Sequence, residues 1–403
     1  MISILILSIS NVGLSQISKS DWVSLCKKAT GEKKDTCKII RKNLGISPSI
    51  LGGNWGKVYD KISSLKAFTL DFKIASDISP IAGFNNIEEL GLNVSELSDI
   101  SPISKLTQLK KLSLNFNQIS DLSPIADMLS LKELNIGFNK VSDLTPIAGL
   151  SNLEILNLAG NQISDLSPLT RLCKLHTLIL DDNEISDISL LDDIRGLKDL
   201  GLSFNQISNL SHLSTLTDLE ALNLSGNQIS SLTPLAGLTN IKALSLESNQ
   251  ISDISPLASL TELEALLLGK NQIKDLSPLS AGRNIKMVSL DHNQVHDFSP
   301  IKHIETIEGK AAQYLSPLQT MVKRATKSDE IDNSNIICHL CSRKYQEGDE
   351  LSEMELPTAH KLFHRKCGER YERKFLALLD FATANGINTG PIWTFILLTA
   401  LAA

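Results

Sequence analysis

The sequence predicts an α/β solenoid, in which short parallel strands on one side are joined by short 3-10 helical returns on the other. The main observation is an internal repeat that runs from Leu65 to Thr306 without an insertion and gives eleven units of 22 residues. A repeat with a fixed period indicates units that pack only on their neighbours. A helical pattern before this block predicts an N-terminal cap. Paired cysteines and histidines after it predict a small zinc-binding module.

Each unit has the pattern of one strand followed by a polar turn. In the unit that begins at Leu109, Leu112 and Leu114 alternate as on a strand and point inward. Asn117 follows in the ninth place of the unit, where its amide can satisfy the backbone of the turn. The same asparagine recurs in all later units, as Asn139, Asn161, Asn183, Asn205, Asn227, Asn249, Asn271 and Asn293.

The second half of each unit predicts a turn and a short return. Ile119 and Leu122 are expected to be buried, and the Ser-Pro pair at Pro124 favours a 3-10 helix. An aspartate in the thirteenth place has two interpretations, a calcium-binding ladder or a turn cap. We favour the turn cap because aspartate is common in such turns. These aspartates are Asp121, Asp143, Asp165, Asp187, Asp253, Asp275 and Asp297.

The leucine spacing and the asparagine that follows it resemble a leucine-rich repeat of the 22-residue class, as in bacterial internalins. The resemblance covers about 60% of the chain. It implies a curved rod with a parallel sheet on its concave side and a role in binding a protein partner on that side. A fold by itself does not identify the partner.

The third, fifth, seventh and eighth places of each unit are predicted to form the open concave surface. Apolar side chains in the fifth and eighth places are candidates for an exposed ridge that contacts a partner, because buried aromatic anchors dominate protein interfaces. The alternative is that each phenylalanine is a local plug over the end of its strand. The candidate partner-binding residues are Phe72, Phe116, Phe138, Ile179, Phe204 and Leu267.

Charge and motifs exclude several function classes. The net charge is −6, and residues 1–63 carry ten Lys/Arg against four Asp/Glu, so the repeats themselves are acidic. An acidic rod is unsuited to nucleic acid, whose binding depends on phosphate neutralisation. The repeats contain no glycine-rich phosphate loop and no Ser-His-Asp signature. Cys173 is predicted to be buried on the convex side.

The N-terminal region has two predicted parts. Residues 1–16 contain an apolar run that fits a signal peptide or, alternatively, the start of a cap helix. Residues 17–64 predict a helical cap whose first helix begins at Ser20 or Asp21. Cys26 and Cys37 are candidates for a disulfide if the chain is exported.

The C-terminal region begins with a predicted cap and linker at 307–335, followed by a module at 336–373. Cys338 and Cys341 form a C-x₂-C pair, and His364 and Cys367 form an H-x₂-C pair. Two thiolates on one loop and an imidazole and a thiolate on another are sufficient for a tetrahedral zinc site. The spacing therefore predicts one zinc ion.

This segment resembles a RING finger of the subtype with two histidines. The resemblance implies that the four residues above form the first zinc site, while the second site has lost ligands and keeps only His360. RING domains recruit ubiquitin-conjugating enzymes partly through an apolar residue beside the second cysteine, here Leu340. A ubiquitin ligase that selects substrates with its repeats, or an effector that mimics one, is therefore the alternative to a binding protein. The lost site favours binding alone.

Residues 374–403 predict an apolar helical tail. Its last stretch, 392–403, is shorter than the roughly 20 residues that a spanning helix needs. The tail is expected to dock on the zinc module or a partner, with membrane association as the alternative. Export to the cell envelope or beyond is the expected localisation. The ligase interpretation instead requires a cytoplasmic location. If the protein is a translocated effector, this is the cytoplasm of the host cell. A structural role in the cell envelope is a third, weaker possibility.

The zinc prediction has a direct test. The predicted module has few apolar residues, so metal binding and folding are expected to be one event. We expect one zinc per chain, lost in Cys341→Ser and retained in His360→Ala. Elemental analysis of the purified variants measures it, and two zinc ions per chain would contradict the ligand set.

Overall fold

The structure is a computed structural model that describes residues 18–43, 55–69, 77–84, 86–304, 306–308, 351–356 and 359–364. Three helices come first: α1 (Lys19–Lys28), α2 (Gly31–Asn43) and α3 (Trp55–Ser63). Strands β1 to β12 follow as Ala67–Thr69, Glu89–Gly91, Lys111–Ser113, Glu133–Asn135, Ile155–Asn157, Thr177–Ile179, Asp199–Gly201, Ala221–Asn223, Ala243–Ser245, Ala265–Leu267, Met287–Ser289 and Thr306–Glu308. Strands β13 (Leu351–Leu356) and β14 (Ala359–His364) form a separate antiparallel hairpin.

The twelve short strands form one parallel sheet in chain order. Leu112 lies opposite Leu134, and Leu134 lies opposite Leu156, so the strand register repeats the 22-residue period. The last pairing is different, because Met287 lies opposite Thr306, only 19 residues later. The sheet therefore continues by one strand where the predicted repeat block ends, after a return that is three residues shorter.

Stacked leucines fill the interior of the solenoid, as the sequence predicted. Leu134 and Leu156 are completely buried, and Leu112 is 1% exposed. Ile119 and Leu122 of the return are buried as well. A single unit is too thin to cover these side chains, so burial depends on the neighbouring units.

The returns are 3-10 helices that begin at a Ser-Pro or Thr-Pro pair in most units, such as Ser123–Ile125. The thirteenth-place aspartate caps the turn before the return: the Ser123 N–H donates to Asp121 Oδ1 at 2.8 Å. In the next unit, hydrogen bonds from the Thr145 hydroxyl and N–H hold the pKa of Asp143 below its usual value. The turn-cap interpretation accounts for these carboxylates. No group of three potential metal ligands occurs in the described residues.

Helices α1 to α3 cover the N-terminal end of the stack. Trp22 is fully buried, contacts the rings of Trp55 and Tyr59, and donates from Nε1 to the Pro80 carbonyl at 2.6 Å. The helix α1 begins after Ser18, whose hydroxyl accepts from the Asp21 N–H. The sequence prediction placed this start at Ser20 or Asp21. It also missed α3, although Trp55, Val58, Tyr59 and Ile62 have helical spacing.

The six cysteines have different positions. Cys26 and Cys37 are joined by a disulfide, with their Cα atoms 5.8 Å apart, within the usual range. Cys173 is exposed, and the prediction that it is buried is wrong. It lies just after the buried Leu172, in the turn toward the next strand, a place that Ser151 and Arg195 occupy in other units.

The C-terminal predictions fall mostly outside the described residues. Cys338, Cys341, Cys367 and the tail 374–403 lie outside the described residues, whereas His364 is the last residue of β14. At the other end of the chain, residues 1–17 also lie outside them. No helix in the described ranges is long and apolar enough to cross a membrane.

A ladder of asparagine amides supports the turns that leave strands β3 to β11. Asn205 Nδ2 donates to the carbonyls of Leu180 and Leu202 at 3.0 and 3.1 Å. Asn205 Oδ1 accepts from the Ile185 N–H at 3.0 Å. Each amide therefore joins the backbone of two adjacent units. The same pattern runs from Asn117 to Asn293.

Removing one rung of this ladder should destabilise the solenoid. Asn205→Ala leaves the buried Ile185 N–H without its partner. It also removes one of the two amide donors from each of the Leu180 and Leu202 carbonyls, which keep Asn183 and Asn227. An unsatisfied buried polar group costs about 1–3 kcal/mol and a lost hydrogen bond about 1 kcal/mol, so we expect the unfolding free energy to fall by about 2–4 kcal/mol. Asn240→Ala is the matched control, because its exposed amide donates to one carbonyl, that of Thr217. Urea denaturation measures both variants, and equal losses would contradict this role of the ladder.

Candidate functional site

The eighth place of ten consecutive units has a left-handed backbone. The φ angles lie between 52° and 67° at Val94, Phe116, Phe138, Gly160, Asp182, Phe204, Gly226, Ser248, Lys270 and His292. Glycine adopts this conformation without strain, whereas a residue with a Cβ atom incurs roughly 1–2 kcal/mol. The turn itself requires the conformation. A phenylalanine at this place is thus unfavourable for the backbone. The presence of phenylalanine rather than glycine there must be explained by what its side chain does.

Phe116 and Phe138 stack on each other in adjacent units. Their ring centroids are 4.7 Å apart and the planes differ by 11°. The Phe138 ring also lies against Gly160 in the next unit, where an added Cβ atom would be 2.6 Å from Phe138 Cδ1. Both rings are half-buried. They are partly plugs and partly open surface, so the structure combines the two interpretations of the sequence.

Phe204 is the more exposed aromatic residue, with 57% of its surface accessible. Its ring leans over Gly226 in the same way, with an added Cβ atom placed 2.6 Å from Phe204 Cδ1. In the preceding unit, Asp182 occupies the eighth place beside Phe204. No described aromatic ring stacks on the Phe204 ring. A phenylalanine followed 22 residues later by a glycine is the sequence signal for this arrangement, and the sequence analysis missed it.

The rest of the concave surface is much less open than predicted. Most side chains of the fifth and seventh places are buried, including Asn135 at 2% and Asn157 at 1% exposed. Leu267 is 1% exposed and packs against Ala243, so its prediction as an exposed contact is wrong. Ile179 is half-buried, and Phe72 lies outside the described residues. Strands only about 4.8 Å apart let short side chains in one row cover each other.

Polar contacts join the buried concave side chains along the sheet. Asn93 Oδ1 accepts from the Asn115 N–H at 2.8 Å, and Asn115 Oδ1 accepts from the Gly137 N–H at 2.6 Å. Three buried side-chain atoms among the described residues have no hydrogen-bond partner: Glu133 Oε2, Asn135 Oδ1 and Asn157 Nδ2. All three lie in two adjacent units, those of Phe138 and Gly160. Such unsatisfied groups are exceptional in folded proteins.

The concave places carry far more negative than positive charge. In the third, fifth, seventh and eighth places between Glu89 and His292, lysine occurs only as Lys111 and Lys270, and Lys111 pairs with Glu133 at 2.8 Å. The carboxylates in these places are Glu89, Glu133, Asp181, Asp182, Asp199, Glu247 and Asp291. The second-place row beside them carries six lysines and four glutamates, which form ion pairs such as Lys66–Glu88–Lys110. The concave places therefore contribute to the negative charge of the repeats, together with the turn-capping aspartates of the thirteenth place.

Two of these carboxyls are perturbed by burial. Desolvation raises the pKa of Asp181 to about 6, although the Ser203 N–H and hydroxyl both donate to Asp181 Oδ1. Asp181 lies over Gly201, where any Cβ atom would collide with its carboxylate. Desolvation also raises the pKa of Asp199, which accepts from the Thr177 hydroxyl at 3.1 Å. In the described part of the chain, no lysine or arginine forms an ion pair with Asp181, Asp182 or Asp199.

Asp181 should make the fold less stable as the pH rises. Its pKa of about 6 exceeds the ordinary value of 3.8, so between these values the folded chain binds more protons than the unfolded chain. Asp181→Asn removes this effect and keeps an acceptor for Ser203. We expect the unfolding free energy of the variant, relative to the wild type, to increase by up to about 3 kcal/mol from pH 4 to pH 7. Urea denaturation at several pH values measures the difference, and a constant difference would contradict the buried carboxyl.

Comparison with known proteins places this geometry among repeat proteins. The sequence matches the family Leucine Rich repeats (2 copies) in overlapping segments that span 85–193 and 195–281. No curated protein matches the chain.

Solved structures with the same architecture come from several sources. An internalin from Listeria monocytogenes is 26% identical, covers 69% of this chain, is itself covered to 94%, and has a TM-score of 0.56. A leucine-rich repeat protein from Leptospira interrogans is also 26% identical, with coverages of 62% and 74% and a TM-score of 0.53. A TDR receptor at 21% identity, with coverages of 63% and 48% and a TM-score of 0.55, shares the fold. The repeats of this chain are therefore leucine-rich repeats, and its structural neighbours include internalins.

Proposed function

We propose that this chain is a binding protein that takes a protein partner on the concave side of its repeats. The observation that supports this most is the presence of Phe116, Phe138 and Phe204 at left-handed backbone positions. Each side chain is held at a cost to the backbone, and each remains accessible. Leucine-rich repeat solenoids are protein-interaction scaffolds and offer such concave surfaces. Aromatic side chains with polar surroundings are the usual anchors of protein interfaces.

Export from the cell is part of this proposal. The disulfide between Cys26 and Cys37 is compatible with an oxidising compartment, because such bonds are rare in reducing cytosol. The apolar run in residues 1–16 supports export as well, although it lies outside the described residues. An exported rod would meet its partner at the cell envelope or outside the cell.

The ubiquitin-ligase alternative has less support. It rests on Cys338, Cys341, His364 and Cys367, and on a ubiquitin-conjugating enzyme as partner, and three of the four zinc ligands lie outside the described residues. The disulfide in the cap favours a different compartment from the one that a ligase requires. One zinc ion bound by these ligands, and membrane association of the tail, remain predictions from the sequence.

Site-specific photo-crosslinking tests the binding function. Phe204 and Leu129 are the two large apolar residues with the highest exposure in the described chain, at 57% and 58%. Leu129 lies in the turn between the return Ser123–Ile125 and the next strand, outside the eighth-place row of Phe204. A benzophenone amino acid at each position provides a matched pair. We expect position 204 to crosslink selectively to members of an array of purified extracellular protein domains, and position 129 to crosslink to none. Crosslinks from position 129 alone, or from neither position, would contradict a concave binding site.

A further inference from the structure

The concave edge between Phe116 and Phe204 combines apolar and acidic groups in a fixed order. We call it the aromatic–acidic edge and define it by Phe116, Phe138, Asp181, Asp182 and Phe204. Phe138, Asp182 and Phe204 share the eighth place of their units, so they stand in one row at the ends of their strands. The stacked Phe116 and Phe138 lie at one end, Phe204 lies at the other, and the carboxylates are between them.

Among the described residues, no lysine or arginine forms an ion pair with the carboxylates of this edge. Burial disfavours the charged form of Asp181, and the neighbouring charge of Asp182 adds repulsion. The hydrogen bonds from Ser203 to Asp181 are the compensation that the fold provides. A cationic group from a partner would offset the remaining charge, and such complementarity is a common source of specificity in interfaces.

Two buried amides lie in the units that the edge spans. Asn135 Oδ1 and Asn157 Nδ2 have no partner within the described chain, and both side chains are more than nine-tenths buried. One is an acceptor and the other a donor, in adjacent strands. Rotation of these amides would direct them at the N–H and C=O groups of a polypeptide lying across the strands. Such a polypeptide has to be extended, because only then is its backbone available for these bonds.

The spacing of the edge sets the pattern of such a segment. Adjacent strands are about 4.8 Å apart, so Phe138 and Phe204, three units apart, are separated by roughly 14 Å. An extended chain advances about 3.3 Å per residue and directs every second side chain to the same face. Two apolar side chains four residues apart would therefore reach the two aromatic positions. A basic side chain midway between them would face the carboxylates.

We infer that the aromatic–acidic edge binds an extended polypeptide segment in which one basic side chain lies midway between two apolar side chains. This inference rests on the proposed binding function and specifies the chemistry of the partner. The segment crosses the strands, its apolar side chains pack on Phe138 and Phe204, and its lysine or arginine pairs with Asp181 and Asp182.

A pair of synthetic peptides tests this inference. The first has the core Leu-Ser-Arg-Ser-Leu, which reads the same in both directions, and the second replaces arginine with glutamine. Titration of fluorescein-labelled peptides into the full chain, followed by anisotropy, gives both dissociation constants. We expect the arginine peptide to bind with a dissociation constant on the order of 100 µM and the glutamine peptide to bind at least about tenfold more weakly.

Three variants assign the effect to the edge. The first variant, Asp182→Asn at an exposed position, should reduce the preference for arginine. The double variant, which adds Asp181→Asn, should reduce or abolish it. Phe204→Ser should weaken both peptides, whereas the control Leu129→Ser should weaken neither. Melting curves by circular dichroism show whether each variant is folded. If the double variant does not fold, Asp182→Asn alone decides.

Several results would overturn the inference. Equal binding of the two peptides, no binding of either, or an unchanged preference in Asp182→Asn would each do so. If a second copy of the chain occupied the edge, sedimentation would show a wild-type dimer that Phe204→Ser dissociates. That result would also overturn the inference. Selective crosslinking at position 204 together with any of these peptide results would leave the binding function standing and reject only the partner chemistry.

Discussion

The turn that leaves each strand is the constraint on which the solenoid depends. In this turn the eighth residue is left-handed and the ninth is an asparagine whose amide bonds the backbone of two units. Buried backbone groups need partners, and the turn has no ladder of its own to supply them. The asparagine can provide these hydrogen bonds only when the adjacent unit has the same turn in the same register. This requirement explains why the units from Leu109 onward keep their 22-residue period without an insertion.

The same turn creates the candidate binding edge. A left-handed residue after each of the ten strands β2 to β11 places a row of side chains along one border of the concave sheet. Where that residue is followed by glycine in the next unit, as with Phe138 and Phe204, the ring can lie over the neighbouring backbone. The places between these rings are occupied by Gly160 and Asp182. The result is two apolar patches separated by carboxylates, on a sheet whose other side chains are short and largely covered.

The N-terminal end of the stack is covered in a different way from its interior units. An interior unit is covered by its neighbours, but the first unit has one open end. Helices α1 to α3 close it, with Trp22 fully buried between α3 and the first return and the disulfide between Cys26 and Cys37 joining α1 to α2. A small cap gains much from such a bond, because its own core is limited.

The sequence by itself determined the period, the inward leucines, the asparagine ladder and the turn-capping aspartates. Each of these depends on a residue type that recurs in the same place of successive units, so the repetition makes it visible in the sequence. Only the tertiary structure decided which concave side chains are open. Leu267 is covered and Phe204 is exposed, although both were expected to contribute to a ridge. The exposure of a side chain on this sheet depends on residues 22 positions away in the adjacent strands. For the same reason the burial of Asp181 over Gly201 could not be read from either residue alone.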